Sequence, residues 1–403
     1  MVSFIVFRST LTANLSSFIT QIRVIRVLLK FFAQRSPLTV NLDIMNMFFE
    51  LLQIAAGNRK WFSSLPSEEE WRELFDLAEK QTLTGVAFYG IERLPLEQRP
   101  PKPLLMKWYS ATERLKALNA EMNAKVVAVA RRFRRDGFRS VILKGQGIAT
   151  LYPDASYRTP GDIDIWVEGG RERVAAYLRG IAPKCKVVYH HADFYPIGGT
   201  DIEVHFMPTW MNSYFSNRCL QRFFADKALD CFKDALDEVG DDGRIPVPTL
   251  ELNRVFILVH IYRHLFSEGI GLRQLMDYYY VLRQGFTEAE RRETLQVLES
   301  LKMVRFAGAV MYVLQRVFGM EDRYLLLPPN EKEGHFLLNE IMMAGNFGHY
   351  DKRIKREKND GEWDGFLRRV GRNFRFVRSY PSEVLWSPLF KLWHFIVRTR
   401  WNV

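Results

Sequence analysis

The sequence predicts an α+β fold, with a small mixed sheet near residues 138–207 set between two helical regions. Three observations carry this reading. Apolar residues recur at three- and four-residue spacing before residue 136 and again beyond Pro208. Between those stretches, short runs alternate apolar and polar residues with a period of two. The composition, 47% apolar and 26% charged over 403 residues, is globular and long enough for two or three domains.

The first strongly periodic helix spans Ile44 to Ala56, where Met47, Phe48, Leu51, Leu52 and Ala55 share a face and Gly57 closes the pattern. Ser67 with Glu70 is a capping box ahead of Trp71, Leu74, Phe75 and Ala78. Pro95 to Pro103 reads as a linker or sharp turn, followed by a long helix from Leu105 to Arg135 that ends at Asp136-Gly137. The character then changes. Ser140 to Leu143 reads as a buried strand, Gly145 to Leu151 as a turn into a helix, and Asp162 to Val167 as an alternating strand. Lys186 to His190, Phe194 to Ile197 and Thr200 to Phe206 are further strand candidates, with Gly198-Gly199 as a hairpin turn. Helices follow at Leu250–Leu265, Leu272–Arg283, Glu288–Leu301, Phe306–Phe318 and Glu333–Met343. The expected divisions are an N-terminal extension (1–44), a helical region (45–137), the sheet-bearing core (138–207), a helical domain (208–350) and a basic aromatic C-terminal segment (351–403).

The net charge of +11 is not spread evenly. Residues 1–44 carry +4, residues 352–378 carry +6 and the tail beyond carries +2, which leaves residues 45–351 at −1. A near-neutral body argues against a basic nucleic-acid cleft running through it. The N-terminal extension resembles a transit or interfacial segment in composition, but the favoured reading is that it is dispensable or reflects an over-long start. In the tail, Trp386, Leu389, Phe390, Trp393 and Val397 share a helical face beside Lys391, Arg398 and Arg400. Docking of that face on the protein's own core is favoured over contact with a membrane surface. No run reaches the roughly 18 apolar residues of a spanning helix. Three cysteines without a C-x-x-C spacing give neither a disulfide framework nor a zinc knuckle, and a reducing, cytoplasmic location is the expectation.

The most informative segment is Leu143-Lys144-Gly145-Gln146-Gly147, followed by Arg158 and by Asp162-Ile163-Asp164-Ile165. Side chains two apart in a strand share a face, so Asp162 and Asp164 place two carboxylates together while Ile163 and Ile165 turn to the core. Like charges so close call for a cation, and hard ions such as Mg²⁺ suit carboxylates together with phosphate oxygens. Asp201-Ile202-Glu203-Val204-His205 repeats the alternation. Laid beside the first strand, Glu203 completes a three-carboxylate cluster suited to phosphoryl or nucleotidyl transfer. Gly145 and Gly147 let the backbone approach an anion, and Lys144 and Arg158 suit phosphate neutralisation or, equally, structural ion pairs with carboxylates. The dinucleotide fingerprint fails at Thr150, and no Walker pattern is present.

In this order the segments resemble the DNA polymerase β-type nucleotidyltransferase superfamily. More narrowly they resemble an uncharacterised bacterial nucleotidyltransferase-like family, common in Bacteroidetes and often found near surface-polysaccharide genes. The resemblance rests on Leu143-Lys144-Gly145, Tyr152-Pro153, Arg158, Asp162-Ile163-Asp164 and Glu203-Val204-His205. It extends to His260-Ile261-Tyr262-Arg263-His264, the stretch from Gly269 to Asp277, and Gly345-Asn346-Phe347-Gly348. It covers roughly residues 45–380. It implies Mg²⁺- or Mn²⁺-dependent transfer of a nucleotidyl group from an NTP to an unknown acceptor, with Asp162, Asp164 and Glu203 as metal ligands and catalytic residues. Lys144, Gly145, Gln146, Gly147 and Arg158 would line the nucleotide site. One departure stands out: Gln146 replaces the Ser or Gly that usually follows the first glycine and helps to hold the triphosphate.

Two rival functions follow. One is a binding or scaffold protein that has lost transfer, and the other is an enzyme that nucleotidylates a protein, as in toxin–antitoxin pairs. Among accessory residues, Arg273 and Asp277 lie i, i+4 on a helix, so an ion pair is the default and a part in the acceptor pocket the alternative. His190, His191, Asp193, Glu203 and His205 have the makings of a transition-metal site. His260 and His264 lie one helical turn apart without the Glu of a zinc-protease helix. Both groups read as polar core or surface histidines, His205 being singled out because it shares a strand face with Glu203.

Overall fold

The structure, a computed structural model, describes residues 41–194, 200–233, 245–351, 353, 371 and 373–401. The N-terminal extension up to residue 40, the expected Gly198-Gly199 turn and most of the basic stretch after Asp351 lie outside the described residues. Among the described residues the leading helices are α1 (Leu42–Ala55), α2 (Glu68–Lys80), α3 (Thr84–Ile91) and α4 (Lys102–Arg135). Asn41 caps α1, and the Ser67/Glu70 capping box forms at α2. With 34 residues α4 runs about 50 Å at 1.5 Å per residue.

The sheet comprises β1 (Ser140–Ile142), β2 (Ile163–Val167), β3 (His191–Phe194) and β4 (Ile202–His205). A one-turn helix, α5 (Gln146–Ala149), lies between β1 and β2, and α6 (Gly170–Ile181) lies between β2 and β3. The strand order is β1-β2-β4-β3, with β2 and β4 parallel and the other pairs antiparallel, so this is a mixed sheet in an α+β molecule. Lys186 to His190 does not form the expected strand. Within it only Val187 makes an isolated bridge, to Ala192, and the strand itself starts at His191. The alternation that suggests a strand there comes instead from His190 turning inward and Val187 packing under the sheet.

Among the described residues the helices that follow are α7 (Tyr214–Lys233), α8 (Leu250–Ser267), α9 (Leu272–Arg283), α10 (Glu288–Ser300), α11 (Val304–Phe318), α12 (Glu331–Ala344) and α13 (Pro381–Trp401). No described helix is long and apolar enough to cross a membrane.

The sheet separates two cores. Ile163, Ile165 and Val167 of β2, Ile202 and Val204 of β4, and Ala192 and Phe194 of β3 face one way, onto Val126, Val129 and Phe133 of α4 and Val174 and Leu178 of α6. On the other face Val141 and Trp166 join the larger core of the helical regions, where Trp166 meets Phe232 with ring centroids 4.6 Å apart. Asp164, Glu203, His205, His191 and Asp193 alternate with the buried apolar set and therefore share that second face.

Candidate active site

The parallel pairing of β2 and β4 sets Asp164 opposite Glu203 and Trp166 opposite His205, while antiparallel β3 sets His191 opposite His205 and Asp193 opposite Glu203. The sheet register thus gathers side chains that the sequence spreads over some 40 residues. Asp162, just ahead of β2, joins them: carboxylate oxygens of Asp162, Asp164 and Glu203 lie within 4.8 Å of one another.

Lys144, on the turn after β1, reaches over this cluster. Its Nζ lies 3.1 Å from Asp164 Oδ2 and 3.4 Å from Asp162 Oδ2. Burial opposes its charge, but the carboxylates of Asp164, Asp162 and Glu203 win and hold its pKa above the usual lysine range. On the other side of Asp164, His205 Nε2 lies 2.9 Å from Oδ1 and 3.3 Å from Glu203 Oε2. Burial works against the imidazolium, and the hydrogen bonds to the two carboxylates overcome it, raising the His205 pKa to about 9. For Glu203 burial favours the neutral acid, yet the His205 hydrogen bond and the charges of His191, His205 and Lys144 bring it down to about 2.

The glycine turn has packing reasons of its own. Gly145 sits at φ +59°, which glycine adopts without strain. A Cβ on Gly147 would stand 2.5 Å from the Ile142 carbonyl oxygen, so this glycine is required by the close packing of α5 on β1 rather than by an approaching anion. The Gly147 N–H is already donated to the Lys144 carbonyl at 3.1 Å. Gln146 is buried and turned away from the carboxylates, donating to Asn123 Oδ1 at 2.6 Å and Asn119 Oδ1 at 3.3 Å on α4.

Arg158 is also buried, with its guanidinium fork on Asp277: Nε to Oδ1 and Nη2 to Oδ2, both 2.8 Å. Tyr152 donates to Oδ1 of the same carboxylate at 2.7 Å. The i, i+4 ion pair expected between Arg273 and Asp277 is therefore not formed, because Arg158 takes both carboxylate oxygens from the far side. Arg273 instead points at Pro160 and Thr159, its Nη1 being 3.5 and 3.4 Å from their carbonyl oxygens, and a Cβ on Gly161 would come within 3.7 Å of it.

Sequence reasoning missed Arg263 on α8. It is held by Thr209 Oγ1 at 3.1 Å and lies over the Trp210 ring, 3.3 Å from its centroid. Among the described residues no carboxylate forms an ion pair with it. Burial brings its pKa down to about 10, with Glu203, Glu268, Asp164 and Glu383 offsetting only part. The sequence offers Arg263 only as one residue of the His260–His264 stretch that carries the family resemblance, with no role attached.

Comparison with curated proteins finds no match to this chain. Among solved structures, an antigenic nucleotidyltransferase-like protein from Paracoccidioides brasiliensis aligns with 54% of this chain and 97% of its own. The identity is 13% and the TM-score 0.31, a likeness too slight to bear on the assignment. The model of a family described as uncharacterised nucleotidyltransferase matches residues 67–319, a span that takes in the sheet, the three carboxylates, Lys144 and the Arg-bearing helices α8 and α9. With more than half of its length matched, the chain belongs to this uncharacterised nucleotidyltransferase family.

Proposed function

We propose that the protein is a divalent-metal-dependent nucleotidyltransferase that moves an NMP group from an NTP to an acceptor and releases pyrophosphate. The convergence of Asp162, Asp164 and Glu203 on one sheet face carries this reading. The donor set fits a hard cation. Asp164 is buried, with Lys144 Nζ 3.1 Å from its Oδ2, and Asp162 stands at the mouth of the cluster, exposed to solvent. These three residues would hold Mg²⁺ or Mn²⁺, which when bound supplies Lewis-acid polarisation of the phosphates.

The chain's own residues supply the remainder. Lys144, between Asp162 and Asp164, stands where it can pass from the carboxylates to a phosphate oxygen. Arg263 and Arg273 have no carboxylate ion pair among the described residues and flank the cluster from the helical side. In this reading they neutralise the triphosphate, the part that Gln146 does not take. Arg158 acts as a positioning residue by tying the Asp162 loop to α9 through Asp277. His205 Nε2 holds Asp164 and Glu203 in place. Transfer of this kind depends on positioning and electrostatics more than on covalent chemistry.

The decisive experiment is Mg²⁺-dependent release of pyrophosphate from each NTP, comparing the native chain with Asp162→Asn. Asp162 is exposed, so the variant should melt normally while turnover disappears; retained turnover overturns the proposal. A second reading, nucleotide binding without transfer, draws on Lys144 already neutralising Asp162 and Asp164. Calorimetric titration separates the two, because a degenerate site binds NTP with no dependence on Mg²⁺. The acceptor class, whether sugar, small molecule or protein, is open to mass spectrometry of lysate components after incubation with labelled ATP.

A further inference from the structure

Beside the three carboxylates, toward the β3 edge of the same face, three imidazoles close on Glu203. His190 Nε2 lies 2.9 Å from His191 Nδ1, His191 Nδ1 lies 3.5 Å from Glu203 Oε2, and His205 Nε2 lies 3.3 Å from the same oxygen. All four ligand atoms fall within 4.8 Å of one another. A tetrahedral site with metal–ligand bonds of about 2.0–2.1 Å has edges of about 3.3 Å. The three measured edges bracket that value. We propose that His190, His191, His205 and Glu203 form a second cation site, for a zinc-class divalent ion, sharing Glu203 with the carboxylate cluster.

The outer contacts of the rings support this. His191 Nε2 lies 3.0 Å from Asp193 Oδ1, and His205 Nδ1 lies 3.4 Å from the Met207 carbonyl oxygen. A carboxylate or carbonyl on the far nitrogen is the arrangement that orients a ligating histidine and leaves its near nitrogen free to coordinate. His190 Nε2 and His191 Nδ1 face each other, and His205 Nε2 faces carboxylate oxygens of Asp164 and Glu203. Trp210 covers the site, its ring centroid 3.8 Å from that of His190. Three imidazoles and one carboxylate select zinc, cobalt or nickel over magnesium, so the two clusters differ in the ion they take.

The test uses the full chain, stripped with a chelator and titrated with Co²⁺, whose visible absorption is intense only in four-coordinate sites. One equivalent should develop the band, and Zn²⁺ should abolish it. The band should be lost in His190→Ala and His191→Ala and kept in Asp162→Asn, which removes turnover but not a ligand of this site. Should both histidine variants fail to fold, Asp193→Asn leaves every ligand in place and should weaken Co²⁺ binding by about 10- to 100-fold. Absence of a four-coordinate band, a band unchanged in His191→Ala, unchanged affinity in Asp193→Asn, or loss of the band in Asp162→Asn would each overturn the site. Because the readout is metal spectroscopy, the site stands or falls independently of NTP turnover.

Discussion

Asp277 is the residue on which the attachment of the sheet to α9 turns. It accepts from both sides of the Arg158 fork and from Tyr152, and all three groups are buried. Removing one partner of a buried ion pair leaves the other charge uncompensated, at a cost of about 3–5 kcal/mol. Asp277→Ala should lose that much in urea denaturation, whereas replacing Arg158 and Asp277 together with Met and Leu should recover part of it. Arg263 behaves in the opposite way: it is a half-buried charge without a carboxylate pair among the described residues, and a triphosphate would supply an anion. Charge-assisted hydrogen bonds contribute about 1.5–3 kcal/mol, so Arg263→Ala should weaken NTP binding at least tenfold by calorimetry. Unchanged binding would remove Arg263 from the site. The carboxylates were legible in the sequence because strand alternation is local. Arg158's partner was not, since Asp277 lies 119 positions away and the nearer Arg273 offered the obvious ion pair.

At the level of elements, the pairing of β2 with β4 decides everything about the site. A slip of one residue would carry Glu203 and His205 to the apolar face. The sequence shows each strand's alternation, but not that two strands separated by a helix and a third strand are neighbours. The glycines of the turn were legible as special, and only the packing shows why: Gly147→Ala would press a methyl group against the Ile142 carbonyl and should destabilise the protein, lowering its melting temperature, before it affects any ligand. The last helix brings a pH dependence. Glu383 accepts backbone N–H groups of Asn212 at 2.7 Å and Ser213 at 3.3 Å, on the loop that follows β4. Burial raises its pKa from 4.5 to about 7, and those hydrogen bonds offset only part of the rise. The folded state thus holds a proton that the unfolded chain has released. Its contribution is fully lost above about pH 7 and recovered as pH falls toward 4.5, a change of up to about 3 kcal/mol. Glu383→Gln, which stays uncharged, should flatten this slope in melting curves recorded from pH 5 to 8.

Across the whole molecule, the broad architecture was the most readable feature. Helical periodicity on either side of a strand-rich middle predicts the α+β arrangement that the structure has, and α4, α9 and α11 start or end within two or three residues of their expected limits. The surplus positive charge is another matter: it belongs to terminal segments largely outside the described residues, so it says little about the site. The C-terminal face expected to dock on the protein does so in part, Phe390 and Trp393 each standing 5.5 Å from Tyr189 between ring centroids, while Leu389 is more than half exposed.

The long helix α4 has a consequence of its own. Trp108 near its start is sealed in the helical core, Val126 to Phe133 near its end lie under the sheet, and between them Asn119 and Asn123 grip Gln146, with Asn119 also holding the Arg158 carbonyl. One rod thus threads both cores and touches the Lys144–Gly147 turn at its midpoint. Neither core should melt without loosening the other, and a calorimetric scan should show a single cooperative peak. By the same logic a ligand seated at the Lys144 turn would stiffen both ends of the rod, so amide exchange should slow together around Trp108 and Phe133, far from any atom the ligand touches.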